Sequence, residues 1–251
     1  TYPFMRLRYL LLLLPSTIFA QTLDRTAQQA AFQLAIAHTS DDIRVDGDLS
    51  ENTWQIASAT SEFWLKWPRD GAPAPEQTEV RCAYDDRYLY IAVTAHDTTP
   101  NYVIQSLKRD VGYWDSDGFA VVLDPSNAAV NGYFFGTSAN GVQTEALLAT
   151  GNEEEDRNWD NTWVVKTRNY PDHWTAEFAI PLRILRFKEE QTTWGINFIR
   201  NDLSNGVYSV WARIPFQFDG LDLGWTGALQ WDKAPRRVKG NYNIIPYATT
   251  A

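Results

Sequence analysis

From about residue 32 onward, apolar and polar side chains exchange places every second residue. Runs near 32–37, 78–84, 88–95, 117–123, 132–137, 142–148, 162–167, 174–179, 194–200 and 208–213 carry this pattern, and Gly, Pro, Asn or Asp breaks each one off. Successive side chains of a strand point to opposite faces, so each run predicts a strand that turns one face to a core. About ten strands without interleaved helices predict an all-β chain, folded as a two-sheet antiparallel β-sandwich of jelly-roll or immunoglobulin-like kind. A closed barrel is the alternative. Asp85-Asp-Arg87 and Asn140-Gly141 read as tight links between neighbouring strands. Helical signal is thin. Asp48-Leu-Ser-Glu51 has the form of a capping box, with Asp48 as N-cap of a short helix through Ala57. Residues 182–187 suggest one more helical turn.

Residues 5–21 have another character. Met5-Arg-Leu-Arg-Tyr is basic, Leu10 to Leu14 is apolar, and Ala20 is a small residue before Gln21. This is the order of a secretory leader. The apolar run is too short to span a bilayer. The expected division is therefore upstream residues plus leader over 1–20, and a sandwich over 21–235. A linker and a further strand follow over 236–251, where basic, irregular text gives way to Asn241-Tyr-Asn-Ile-Ile-Pro-Tyr247. The acidic stretch 152–156 reads as a solvated loop.

Charge and chemistry narrow the function. The net charge is −9, or −11 once Arg6 and Arg8 leave with the leader, which argues against a nucleic-acid partner. The single cysteine, Cys82, lies in an alternating run and reads as a small core residue. There is no Gly-x-Ser-x-Gly, phosphate loop, His-Glu-x-x-His or Cys-x-x-Cys. His38, His96 and His173 lie in different segments. The only methionine, Met5, falls in the leader, so the mature chain cannot hold a Met-ligated haem. The unusual feature is aromatic: 11 Trp and 12 Tyr exceed what the core requires, so some rings should lie at the surface, where flat faces suit sugar rings. Trp54, Trp174, Trp194 and Trp211 sit in regular patterns and read as core. Trp64 and Trp67, three apart in a strand, should face opposite sides. A glycoside hydrolase would need two carboxylates roughly 5–9.5 Å apart; Asp115 and Asp117 would have to converge to serve.

Five blocks in order resemble the family 9 carbohydrate-binding modules. They are Ile43-Arg-Val-Asp-Gly-Asp-Leu-Ser-Glu-Asn-Thr-Trp54, Val80 to Val93, Trp114-Asp-Ser-Asp-Gly-Phe-Ala-Val-Val-Leu-Asp124, Trp174 to Pro181, and Gly195-Ile-Asn-Phe-Ile-Arg-Asn-Asp202. The arrangement is also similar to the N-terminal domain of bacterial outer-membrane proteins in which such a domain precedes a β-barrel. The resemblance implies a non-catalytic module that binds polysaccharide or oligosaccharide, exported to the periplasm or outer membrane of a Gram-negative bacterium. A C-terminal β-barrel in the same full-length chain would be its partner. A structural or plug-like domain without sugar affinity is the rival reading. In the family the ligand ring lies between two aromatic side chains. Trp114 matches the first, with Asp115 and Asp117 beside it; Phe216, Phe218 or Trp225 would supply the second. The family's polar clamp should lie on the strand near 132–137, which here reads Gly-Tyr-Phe-Phe-Gly-Thr. Family members also hold structural calcium, for which Asp46, Asp48 and Asp124 are the candidate oxygen ligands.

Overall fold

A computed structural model describes residues 24–98, 102–110, 112–150 and 155–236. The expected leader and the segment beyond Arg236 lie outside the described residues, as does most of the acidic stretch.

The alternating text folds into strands β1 (Gln33–His38), β2 (Ala59–Thr60), β3 (Trp64–Trp67), β4 (Thr78–Tyr84), β5 (Tyr88–His96), β6 (Gly118–Asp124), β7 (Asn131–Ser138), β8 (Gln143–Ala149), β9 (Val164–Asn169), β10 (His173–Pro181), β11 (Thr193–Asp202), β12 (Val207–Val210) and β13 (Gly227–Trp231). One sheet runs β8-β7-β6-β11-β13-β1, and the other β1-β4-β5-β10-β9. β12 continues the edge of β11 that β13 leaves open, and β3 pairs with β12. Strand β1 belongs to both sheets. Gln33 to Ile36 pair with β13, and Ala37 and His38 pair with β4, each time in parallel. The remaining pairings are antiparallel, so the expected sandwich is present, sewn along one side by a parallel strand.

Between the sheets the inward residues interlock. Phe119, Val121 and Phe198 from the first sheet meet Ile91, Val93 and Phe178 from the second. Phe119 lies 6.0 Å from Phe178, and Trp163 stacks on Phe178 at 5.8 Å. Each such fully buried side chain contributes roughly 1.5–3 kcal/mol. Cys82, Trp174, Trp194 and Trp211 are in this core, as the alternation predicts. Trp54 is buried too, on the outer face of the second sheet.

Two local expectations are corrected. The short helix is α2 (Asn52–Ile56), with Glu51 rather than Asp48 at its N-cap and no side-chain cap bond. Asp48 is held in the preceding turn instead, where its N–H donates to Asp46 Oδ1 at 2.9 Å. The pattern also misses a helix, α1 (Arg25–Ala31), which buries no side chain of its own, and strand β13. The helical turn expected near 182 is present over Leu182–Ile184.

Candidate functional site

The outer faces of the two sheets are built differently. On the second sheet, the Asp46-Gly47-Asp48 turn is clamped onto β10. Asp46 N–H and Gly47 N–H donate to Glu177 Oε2 at 3.0 and 3.2 Å, and Trp54 Nε1–H donates to Glu177 Oε1 at 3.0 Å. Thr175 Oγ1 donates to Gly47 O at 2.6 Å. Gly47 has φ +83°, and a Cβ there would sit 3.0 Å from the carbonyl carbon of Thr167, so the position requires glycine. Two of the five sequence blocks therefore meet at Glu177. Burial pushes this carboxyl up to about 7 against the pull of its N–H donors.

On the first sheet, the outward residues Ala120, Val122, Phe134, Ala146 and Ile199 are apolar and buried under the turn at 113–115 and the segment 214–225. Tyr113 is wedged into this face. Its hydroxyl donates to Ile199 O at 3.0 Å, and its ring meets Phe134 edge-on at 5.2 Å. Gly136 makes room, since a Cβ there would lie 2.9 Å from the Tyr113 ring. Tyr113 in turn positions Trp114, with centroids at 4.9 Å, and Asn201 Nδ2 donates to Trp114 O and Ser116 O at 3.2 and 2.7 Å.

Trp114 is half-buried and lies 5.3 Å from Tyr208. Tyr208 is the cross-strand partner of Trp67, and Trp67 stacks on Phe216 at 5.8 Å with planes 20° apart. Trp67 and Phe216 are 50% and 48% exposed, which makes them available to a ligand. Phe216 is fixed through its backbone: Lys66 Nζ donates to its carbonyl at 2.9 Å, and its N–H donates to Asp70 Oδ2 at 2.8 Å. Burial pulls the Lys66 ammonium down in pKa, opposed by Asp70 and Asp219. The result is a strip of rings, Trp114, Tyr208, Trp67 and Phe216, along one margin of the face. Phe218 and Trp225 form a second pair at 5.0 Å over the same apolar cluster.

The structure thus gathers Trp114, Phe218 and Trp225 on one surface and places Phe216 at its edge. The two acidic residues expected beside Trp114 take different surroundings. Asp115 is exposed. Asp117 is buried, and its two oxygens accept from Val103 N–H and Ser204 N–H, so it ties loops together and does not converge with Asp115 as a catalytic pair. Sequence reasoning missed Tyr208, because alternation cannot tell which strand lies beside β3.

The three calcium candidates do not meet. Asp124, fully buried at the end of β6, accepts from Arg25 at 3.0 Å. Asp46 and Asp48 lie on the other sheet, where Arg168 donates to Asp48 at 2.7 Å and approaches Asp46 at 4.0 Å. These carboxylates serve arginines and backbone, a donor set that does not fit a shared calcium site. Among the described residues, no three His, Cys, Asp or Glu side chains converge as metal ligands.

In fold the chain is similar to a family 9 carbohydrate binding module from Caldicellulosiruptor kristjanssonii solved with cellotriose, at TM-score 0.59 and 15% identity over 85% of this chain and 100% of that one. The same module solved with glucose gives TM-score 0.57 and 15% identity over 83% and 100%. A protein from Bacteroides uniformis ATCC 8492, described as a candidate carbohydrate-binding protein, gives 0.62 and 13% over 80% and 99%. No curated relative matches in sequence. The family model for carbohydrate family 9 binding domain-like proteins matches residues 45–214, well over half of the sequence, and the chain therefore belongs to that family of binding domains.

Proposed function

We propose that this chain is a non-catalytic glycan-binding module of an exported cell-envelope protein, and that it holds polysaccharide through the ring strip on the outer face of its first sheet. The observation that carries this reading is the run Trp114, Tyr208, Trp67 and Phe216, with two rings half-exposed and all four held by neighbouring rings or backbone bonds. Rings fixed in advance lose little freedom when a sugar stacks on them. The similar module from Caldicellulosiruptor kristjanssonii binds cellotriose and glucose, which makes β-linked glucans the first ligands to test. Export is supported by the basic, apolar and small-residue order of residues 5–21.

Each stacking contact is worth about 1 kcal/mol, so binding by two or three rings is weak, and loss of one ring lowers affinity by about fivefold. Titration with cello-oligosaccharides, followed by tryptophan emission, tests this. Trp114→Ala and Trp67→Ala are each expected to weaken the response. A specific observation favours the rival reading: Ala120, Val122 and Phe134 leave the sheet beneath the rings apolar. If no glycan alters the emission of the unmodified chain, the module is a structural domain and the binding reading falls.

A further inference from the structure

The three histidines are scattered in sequence, but the fold brings two of them together. His96 at the end of β5 is the direct cross-strand partner of His173 at the start of β10. His96 N–H donates away, to Gln77 O on the β4 side, and His173 O accepts from Tyr170 N–H on the β9 side. The pair is thus a non-hydrogen-bonded one, the position at which facing side chains come closest in an antiparallel sheet. Both project from the outer face, because the residues beside them, Ala95 and Trp174, are in the core. Their ring centroids are 6.1 Å apart.

We propose that His96 and His173 form a surface site for a divalent transition-metal ion of the imidazole-preferring class, such as Zn²⁺, Ni²⁺ or Cu²⁺. Three features of the pair suit that role. First, His173 Nδ1 lies 2.7 Å from Asp172 Oδ1; when Nδ1 donates there, the lone pair falls on Nε2, the carboxylate–imidazole arrangement that orients metal ligands. Second, Tyr170 stacks on the His173 ring at 4.4 Å with planes 11° apart, which fixes its orientation. Third, the spacing is close to that of a chelate. With metal–nitrogen bonds of about 2.1 Å, a tetrahedral ion would draw the two centroids to about 5 Å, a closing of about 1 Å that rotation of the exposed His96 ring can supply. The charge nearby is favourable. The Asp172 carboxylate lies beside His173, and Arg168 on neighbouring β9 is already paired with Asp48. Two protein ligands leave the other coordination positions to water or to donors of a second molecule. The site is separate from the ring strip, which lies on the opposite sheet.

The chain, prepared without a polyhistidine tag, is titrated with ZnCl₂ and with CuCl₂ by calorimetry. The expected result is one saturable site. His96→Ala and His173→Ala should each abolish it, Asp172→Asn should weaken it by about tenfold, and His38→Ala should leave it unchanged. His96 and Asp172 are exposed, and circular dichroism checks that their variants keep the fold. The proposal is overturned if the unmodified chain shows no saturable site, or if His96→Ala binds as the unmodified chain does. It is equally overturned if His38→Ala removes the binding. None of these outcomes depends on whether the chain binds glycan.

Discussion

Glu177 shows what a single buried side chain does for this family's most recognisable text. It accepts from the turn at Asp46-Gly47 and from Trp54, more than 120 residues earlier. Its carboxyl is raised from 4.5 to about 7 by burial. The folded state therefore holds a proton that the unfolded chain releases between those values. The stability this contributes is full below about 4.5 and is lost as pH rises through about 7. Urea denaturation at steps from pH 5 to 8 is expected to show a decline on the order of 2–3 kcal/mol. In Glu177→Gln, whose group does not titrate, that slope should be much shallower, whatever the constant offset from its altered hydrogen bonding. An unchanged slope would assign the decline to other groups. Asp46-Gly47 was legible in the sequence as part of the first block that resembles the family. Its attachment to Glu177 was not, because a partner so distant in sequence leaves no local mark. Trp114 was singled out by its match to a ring position of the family, and the structure places it in the turn before β6. Tyr208 and Trp67 were not legible as its neighbours, since they reach it through a strand pairing that periodicity does not encode.

At the scale of elements, most strands with an apolar face were visible, although β13, whose Leu229 and Trp231 lie in the core, was not. α1 has no such face. Its sequence, Arg25-Thr-Ala-Gln-Gln-Ala-Ala31, buries nothing, and polar contacts of its first and middle residues hold it in place. Arg25 reaches Asp124, Asn127, Thr226 and Leu223 O, while Gln28 donates to Arg213 O and Trp225 O. Removing one partner of a buried ion pair leaves the other charge uncompensated and costs about 3 kcal/mol. Arg25→Ala is expected to lose about that much in urea denaturation, because Asp124 has no exposure to water. It should also open residues 25–31 to limited proteolysis while the strands stay protected. A loss under about 1 kcal/mol would mean that Ser126 and Ala129, the other donors to Asp124, suffice alone. The misplaced cap of α2 has the same origin: Asp48 and Glu51 have the right spacing for a capping box, but the Glu177 clamp takes the backbone at Asp46 and Gly47 and delays the helix to Asn52.

For the molecule as a whole, β1 makes the two sheets a single cooperative unit. Leu34 and Ile36 are nearly inaccessible, and they sit where the sheets share a strand. Leu34→Ala should cost about 2–5 kcal/mol, and both sheets should report the loss equally. Tryptophan emission serves as one probe. The Cys82 thiol on β4 serves as the other, since it is fully buried and should react with a thiol reagent only after unfolding. Coincident transitions are the expected result; separate ones would show that the sheets melt independently. The sandwich was legible because alternation fixes which face of each strand is inward, but strand order was not, and so neither was the shared strand. That shared strand also sets an order of events. Its first half has β13 for a neighbour, with Gln33 opposite Ala228. A chain threading from its N-terminus, whether out of a ribosome or through a secretion pore, makes β1, its first described strand, early and must hold it unpaired on that edge until β13, the last described strand, has come through. Closure of the first sheet is therefore a late, long-range step. The slow phase of folding should follow chain length released, not the local propensity of any one hairpin.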